Sequence, residues 1–399
     1  MPQLPAGWEE TTLGEVAIIN PTEYIKKGEV AKNIPMDFLD NFTRKISKYT
    51  EKEFSGGMKF RNGDTLFAKI TPCLENGKTA YVDILDDGEI AFGSTEYIVI
   101  REKKERSNSM FLYYLSVSPF FRDIAIKAMT GTSGRQRVQT DVLVNTKLHL
   151  PPLPEQQAIA AVLSSFDDKI ELLRAENQTL EQLGQELFKE RFGKWKVGDE
   201  LPEGWRVGKL GEKNFAEIIG SGIERFDREK IYLATADVIN SSISNSNTKI
   251  TYQDRPSRAN MQPTEKSIWF AKMQDSRKLL MFDDYSQDEI ENYILSTGFA
   301  GIKTSELSHY YLWCFVLSDD FDMIKNNMAN GAVQIAVNNS NLEKIEFLIP
   351  NEEFLRKFNE FVKPLFKKIY LNNKQITSLS ATRDQLLPKL MSGEVRVKI

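Results

Sequence analysis

Two stretches carry apolar residues at alternating steps of four and three. Between Pro154 and Phe192 the positions are Ile159, Leu163, Phe166, Ile170, Leu173, Asn177, Leu180, Gly184, Leu187 and Arg191. That spacing is the seam of a helix packed on another helix. As one helix the stretch would be roughly 55–60 Å long at about 1.5 Å per residue. So long a helix with one apolar stripe is marginal alone and needs a partner. The chain supplies one between Glu352 and Leu390, where Phe358, Val362, Leu365, Ile369, Asn372, Ile376, Leu379, Arg383, Leu386 and Leu390 keep the same steps. Sliding the first pattern forward by 199 residues lays Leu163 on Val362, Ile170 on Ile369, Leu180 on Leu379 and Leu187 on Leu386.

Each seam holds one Asn, at Asn177 and Asn372. A polar seam residue either fixes register or faces water. Charge separates the two helices: residues 151–200 carry ten acidic and six basic side chains, and residues 351–399 carry five and ten. Opposite signs favour pairing with each other over self-pairing. Pro364 either kinks the second helix or sits in the first turn of a new one.

The duplication extends past the helices. LPAGW (Leu4–Trp8) returns as LPEGW (Leu201–Trp205), and GDTLFAK (Gly63–Lys69) as EKSIWFAK (Glu265–Lys272). FGSTEYIVI (Phe92–Ile100) returns loosely as LSTGFAGI (Leu295–Ile302), and GTSGRQRVQ (Gly131–Gln139) as GAVQIAVN (Gly331–Asn338). The order is therefore globular unit, long helix, globular unit, long helix. Each globular unit reads as mixed α and β. Residues 78–85 and 90–101 suit strands, and Ser109–Met129 suits a helix broken near Pro119 with Asn108 or Ser109 as its cap. Frame residues repeat while loop residues differ, as selection for two targets or loop drift would each produce.

Composition narrows the function classes. An apolar fraction of 41% over 399 residues supports packed cores and two to three domains. A net charge of −4 argues against a generic polyanion binder. The first residues lack a basic cluster followed by an apolar core, and no window approaches eighteen apolar residues, so neither a signal peptide nor a membrane span is expected. Cys73 and Cys314 lie far apart, as do His149 and His309, so no metal centre is expected and a reducing cytoplasm fits.

Three motifs fail on inspection. Leu74–Thr79 ends like a phosphate loop but has Pro72 where its first Gly belongs. Gly220-Ser221-Gly222 lacks the third Gly of a dinucleotide loop, and Asn20-Pro21-Thr22-Glu23-Tyr24 lacks the second Pro of an adenine-gripping loop. No nucleophile, base and orienter form a set, so a catalytic centre is not expected. Polar and basic loops remain. In the first unit these are Lys69, Thr71, Arg135, Gln136, Arg137 and Gln139; in the second, Lys272, Gln274, Arg277, Lys278, Gln334 and Asn338. Arg and Gln are side chains that bond bidentately to guanine and adenine edges in the major groove.

Taken together, LPxGW at both unit starts, LPPLPEQQAIAAVLSSFDDKI (Leu150–Ile170) and RDQLLPKLMSGEVRV (Arg383–Val397) resemble the specificity subunits of Type I restriction–modification systems. GDTLFAKITPCLENGK (Gly63–Lys78) resembles one class of their target-recognition domains. The second copy departs, with Asn351-Glu352-Glu353-Phe354 in place of Pro-Glu-Gln-Gln. The resemblance implies an α+β fold: two similar mixed α/β target-recognition domains, two long antiparallel coiled-coil helices between them, and an internal pseudo-two-fold repeat. It places the domains at residues 1–150 and 200–350 and the helices at 151–199 and 351–399. It implies a non-catalytic subunit that reads a bipartite site in double-stranded DNA. Two adenine N6-methyltransferase (M) subunits would dock on the helices and bind S-adenosylmethionine, with two restriction (R) motor–nuclease subunits as optional partners. Two other readings stay open at this level, a DNA-binding scaffold or regulator without methyltransferase partners and an enzyme in its own right.

Overall fold

The computed structural model describes residues 4–132, 134–329 and 336–398. By packing, the chain resolves into two units. One comprises Met1–Leu172 with Ile376–Ile399, and the other Leu173–Gln375. Each unit thus owns one globular domain and a length of both long helices, a division that cuts across the covalent order of the four segments.

In the first unit, one antiparallel four-stranded sheet has the order Ala17–Ile19, Tyr97–Glu102, Thr65–Ala68, Thr79–Tyr81. A second sheet has the order Thr50–Glu53, Val30–Ile34, Ala91–Gly93, Met58–Phe60, with its central pair parallel. The second unit repeats both orders. Ala216–Ile219, Phe299–Thr304, Ser267–Ala271 and Leu279–Phe282 form the first sheet; Lys249–Ile250, Lys230–Leu233, Tyr293–Ser296 and Ala259–Met261 form the other, again with its central pair parallel. The duplication read in the sequence is therefore a duplication of topology. The helix expected at residues 109–129 is two helices, Ser109–Val117 capped by Asn108 and Pro119–Lys127 capped by Ser118, whose hydroxyl accepts the Phe121 amide. Pro119 takes the first helical position, where a missing N–H costs nothing. His309–Leu317 and Asp319–Asn327 repeat the arrangement around Ser318.

The long helices run Leu153–Phe192 and Glu352–Ser392. The second begins at Glu352, where Asn351 Oδ1 accepts the Phe354 amide, and passes through Pro364 without ending. None of the described helices is long and apolar enough to cross a membrane.

Inside each unit the two helices pair antiparallel. In the first unit Asp167 meets Arg383, and Ile159 and Leu163 share a core with Leu387 and Leu390. In the second unit Asn177 bonds Asn373 and Asn372 at 2.8 Å each, Gly184 lies under the ring of Phe366, and Phe192 packs on Phe358. A Cβ on Gly184 would already stand 2.9 Å from Phe366, so larger residues would push the helices apart. Leu163, Ile170, Leu173, Val362 and Asn372 are buried, while Phe166, Asn177, Leu180, Leu187, Leu365, Ile369, Ile376, Leu379 and Leu386 are half-buried. Phe366 and Leu387 are the more buried neighbours of Leu365 and Leu386. Each helix packs against its own domain as well as its partner, so the buried stripe is wider than a strict seam. Asn177 and Asn372 face each other rather than water, and Asn372 also bonds Glu176 at 3.0 Å.

The repeated family motifs meet in a clamp within the first unit. Trp8 Nε1 donates to buried Glu155 at 3.0 Å, and Arg396 grips the same carboxylate through two nitrogens at 2.9 and 2.6 Å. Gln156, fully buried, donates to the Pro151 and Arg106 carbonyls and accepts from the Asn108 amide. Gly393, at φ +74°, turns the chain so closely that a Cβ would stand 2.5 Å from Pro5. The second unit solves the same closure with aromatic rings: Trp205 packs on Trp195, Phe192 and Phe354. Glu155→Ala should cost about 2 kcal/mol, because it strands a buried indole N–H. Hydrogen exchange that is unchanged across residues 4–12 and 153–172 would contradict this.

Candidate nucleic-acid interface

In the first unit, strand Thr65–Ala68 runs out at Lys69. From there Lys69 to Thr71 lies alongside Gln136 to Val138. The Lys69 carbonyl accepts the Val138 amide at 2.8 Å, the Thr71 amide donates to the Gln136 carbonyl at 3.0 Å, and Thr71 Oγ1 accepts the Gln136 amide at 3.1 Å. Thr71 is thereby buried and holds the loop. Strands Met129–Thr130 and Arg137–Val138 form the hairpin that carries Arg135 and Gln136. Arg135 is exposed and Gln136 half-buried. Arg137 donates through Nε and Nη2 to Glu96, at 2.7 to 3.1 Å, with about half of its side chain in solvent. The pair raises the affinity of the guanidinium for its proton and holds the Glu96 carboxyl below the usual range, since each hydrogen bond favours the charged forms. Gln139 sits at the N-cap position of the short helix Thr140–Val144, and its amide bonds Thr130.

The second unit builds the same frame. The Lys272 carbonyl accepts the Val337 amide at 3.0 Å, and Met273 bridges to Ala336 as Ile70 bridges to Arg137. Lys272 is half-buried, and burial depresses its pKa. No carboxylate pairs with it among the described residues. Gln274 is half-buried beside it. Arg277 is turned back onto the fold, bonding Asp319 at 2.7 Å and the Leu317 carbonyl. Lys278 Nζ donates to the Thr235 carbonyl at 2.7 Å. Asn338 caps the helix Asn339–Leu342, accepting the Asn341 amide at 2.8 Å, in the place Gln139 holds in the first unit. Gln334 lies outside the described residues.

Among the described residues, the structure therefore gathers the predicted ones into one loop cluster per unit but divides their tasks. Thr71, Arg277, Lys278 and Asn338 hold backbone or cap a helix. Lys69, Arg135, Gln136, Arg137, Lys272 and Gln274 surround the open end of each cluster. Two residues of the clusters escaped the sequence reading. Glu96 orients Arg137, and Arg258 brings its Nη2 to within 3.3 Å of where a Cβ on Gly298 would stand. Aligning Ser94-Thr95-Glu96 with Ser296-Thr297-Gly298 puts Glu opposite Gly, a signal present in the sequence.

This is an internally duplicated α/β protein with one loop cluster per repeat and a pair of long helices shared between the repeats. The Type I restriction modification DNA specificity domain matches residues 5–182. The Type I restriction enzyme MjaIX specificity subunit of Methanocaldococcus jannaschii is 30% identical over 315 residues, 73% of this chain and 70% of that one. The EcoAI specificity subunit of Escherichia coli is 32% identical over 211 residues, 51% of this chain but only 36% of that longer protein. Among solved structures, the Type-I restriction-modification system S subunit from M. genitalium shares the fold, with a TM-score of 0.54 at 15% identity over 98% of each chain. The chain belongs to the family of Type I restriction–modification specificity subunits. It is a non-catalytic subunit of such a system.

Proposed function

We propose that this chain reads a bipartite site in double-stranded DNA, one half-site per globular domain, and presents that site to two adenine N6-methyltransferase subunits docked on the long helices. The methyltransferases bind S-adenosylmethionine, and restriction subunits join where the system also cleaves. The cytoplasm, where DNA and these partners meet, is the compartment. One observation carries the reading: two domains with the same order in both four-stranded sheets hold the same lysine on the same backbone frame and surround it with different side chains. A pair of readers for two unlike half-sites requires that difference, and the family supplies the role that loop drift alone does not. The continuous helices, 40 and 41 residues long, suit a spacer of set length.

Methylome sequencing of cells carrying this chain and its methyltransferase tests the proposal. The expected result is one bipartite motif with methylated adenines in both half-sites. No motif, or one that persists when the methyltransferase is kept and this chain is removed, rejects it. Deleting one heptad from each long helix should change the number of base pairs between the half-sites and leave both half-sites alone. An unchanged spacer would reject the spacer role of the helices.

A further inference from the structure

The two loop clusters differ at three positions placed around one shared lysine. The shared frame is tight. Ser94 Oγ accepts the Glu96 amide at 3.1 Å, as Ser296 Oγ accepts the Gly298 amide at 3.1 Å. The carbonyls of Glu96 and Gly298 accept the amides of Lys69 and Lys272 at 3.0 and 2.9 Å. On this frame the first unit carries Glu96 and Arg137 where the second carries Gly298 and Ala336. On the adjoining strand Ala259 pairs with Ser296, and Arg258 stands one residue before it; the first unit has Gly56 at that place.

In the second unit the space beside residue 298 is taken. A Cβ on Gly298 would stand 3.0 Å from Thr235 Cγ2 and 3.3 Å from Arg258 Nη2, so the Arg258 guanidinium fills the space a side chain at 298 would need. At Gly56 the first unit has open space and no side chain, so no guanidinium from that strand competes with Glu96. Besides Arg135 in the first unit and Arg277 in the second, each cluster carries one arginine beside the shared frame, Arg137 or Arg258, delivered from a different element. We infer, on the reading that each domain reads a half-site, that Arg137 in the first unit and Arg258 in the second are the guanine-directed side chains, and that Glu96 is the positioning residue that aims Arg137.

The chemistry follows from the donors. Glu96 holds Nε and one hydrogen of Nη2, and Nη1 reaches the Arg135 carbonyl at 3.4 Å, which leaves one Nη1 hydrogen and the outer Nη2 hydrogen for a second acceptor pair. A guanidinium fork matches O6 and N7 of guanine in the major groove, and a fork already held by a carboxylate loses less side-chain freedom on binding. Arg258 is exposed and, among the described residues, no carboxylate pairs with it. The common lysines are point charges suited to phosphate, a contact without sequence information.

The test uses the assembled complex with its methyltransferase and duplexes varied one base pair at a time from the wild-type site. Arg137→Ala should lower discrimination at a single G·C pair of one half-site by about tenfold or more. Arg137→Lys should keep affinity for unrelated DNA yet lose that discrimination. Glu96→Gln should weaken discrimination at the same pair and no other. Arg258→Ala should act at a single pair of the other half-site. Arg137→Ala weakening all sequences alike, with a shallower salt dependence, would make it a phosphate contact and overturn the inference. Glu96→Gln moving several positions, or both arginines acting on one half-site, would overturn it too. A wild-type complex without any sequence preference would instead reject the underlying reading of function.

Discussion

Asp167→Ala should destabilise the first unit by about 3 kcal/mol, the scale for breaking a buried ion pair by removing one partner. Asp167 is 4% exposed on the first long helix and accepts the Tyr114 hydroxyl at 2.6 Å and Arg383 Nη1 on the second helix. The carboxylate therefore ties both helices to the domain. Among the described residues, removing it leaves a buried hydroxyl without an acceptor and a largely buried guanidinium with only Asp384, on its own helix, as counter-ion. Asp167→Ala combined with Arg383→Met should recover most of the loss, since the uncompensated charge is gone. Hydrogen exchange over residues 153–172, in the full chain, measures both. A single substitution costing under about 1 kcal/mol, or a double costing more than the single, would contradict this account.

The second unit should lose stability as pH falls from about 6.5 towards 4, by up to about 3 kcal/mol. His309 is fully buried on the helix His309–Leu317, and burial pushes its pKa down to about 4. Thr304 Oγ1 donates to the Lys266 carbonyl at 2.8 Å and lies 2.7 Å from His309 Nδ1. With the hydroxyl proton so used, Nδ1 carries the imidazole hydrogen and Nε2 is bare, 3.9 Å from Asp283 Oδ2. Asp283 favours protonation at that distance, yet desolvation is the larger effect. The sign follows. Below 6.5 the unfolded chain takes up a proton that the folded chain refuses until about 4, so the stability is complete above 6.5 and is lost through that window. His309→Gln should flatten the pH dependence of exchange protection in residues 299–317 between pH 7 and 4. Equal slopes in both proteins would contradict the assignment.

The duplication, the paired helices and the family motifs were all legible, because they rest on spacing. A seam at steps of four and three and a repeat near 199 residues survive in one dimension. The motif chemistry was less legible. LPxGW and PLPEQ mark the family, but nothing in their order says that Trp8, Glu155 and Arg396 meet in a clamp. The polar loop residues were found as clusters, while their tasks were not. Arg277 and Arg137 look alike in sequence and are about equally exposed, yet Asp319 and the Leu317 carbonyl hold one while Glu96 holds the other.

By itself, then, the sequence determined that two similar α/β domains and two long helices make up this chain, since periodicity is a property of order alone. Tertiary structure decided which helix lengths belong to which unit, that Asn177 and Asn372 face each other, and which acceptors hold each loop arginine. Those outcomes depend on where a carboxylate or a missing Cβ lies in space. Glu96 is forty-one positions from Arg137, and Arg258 is forty from Gly298, distances over which only folding brings charges and gaps together.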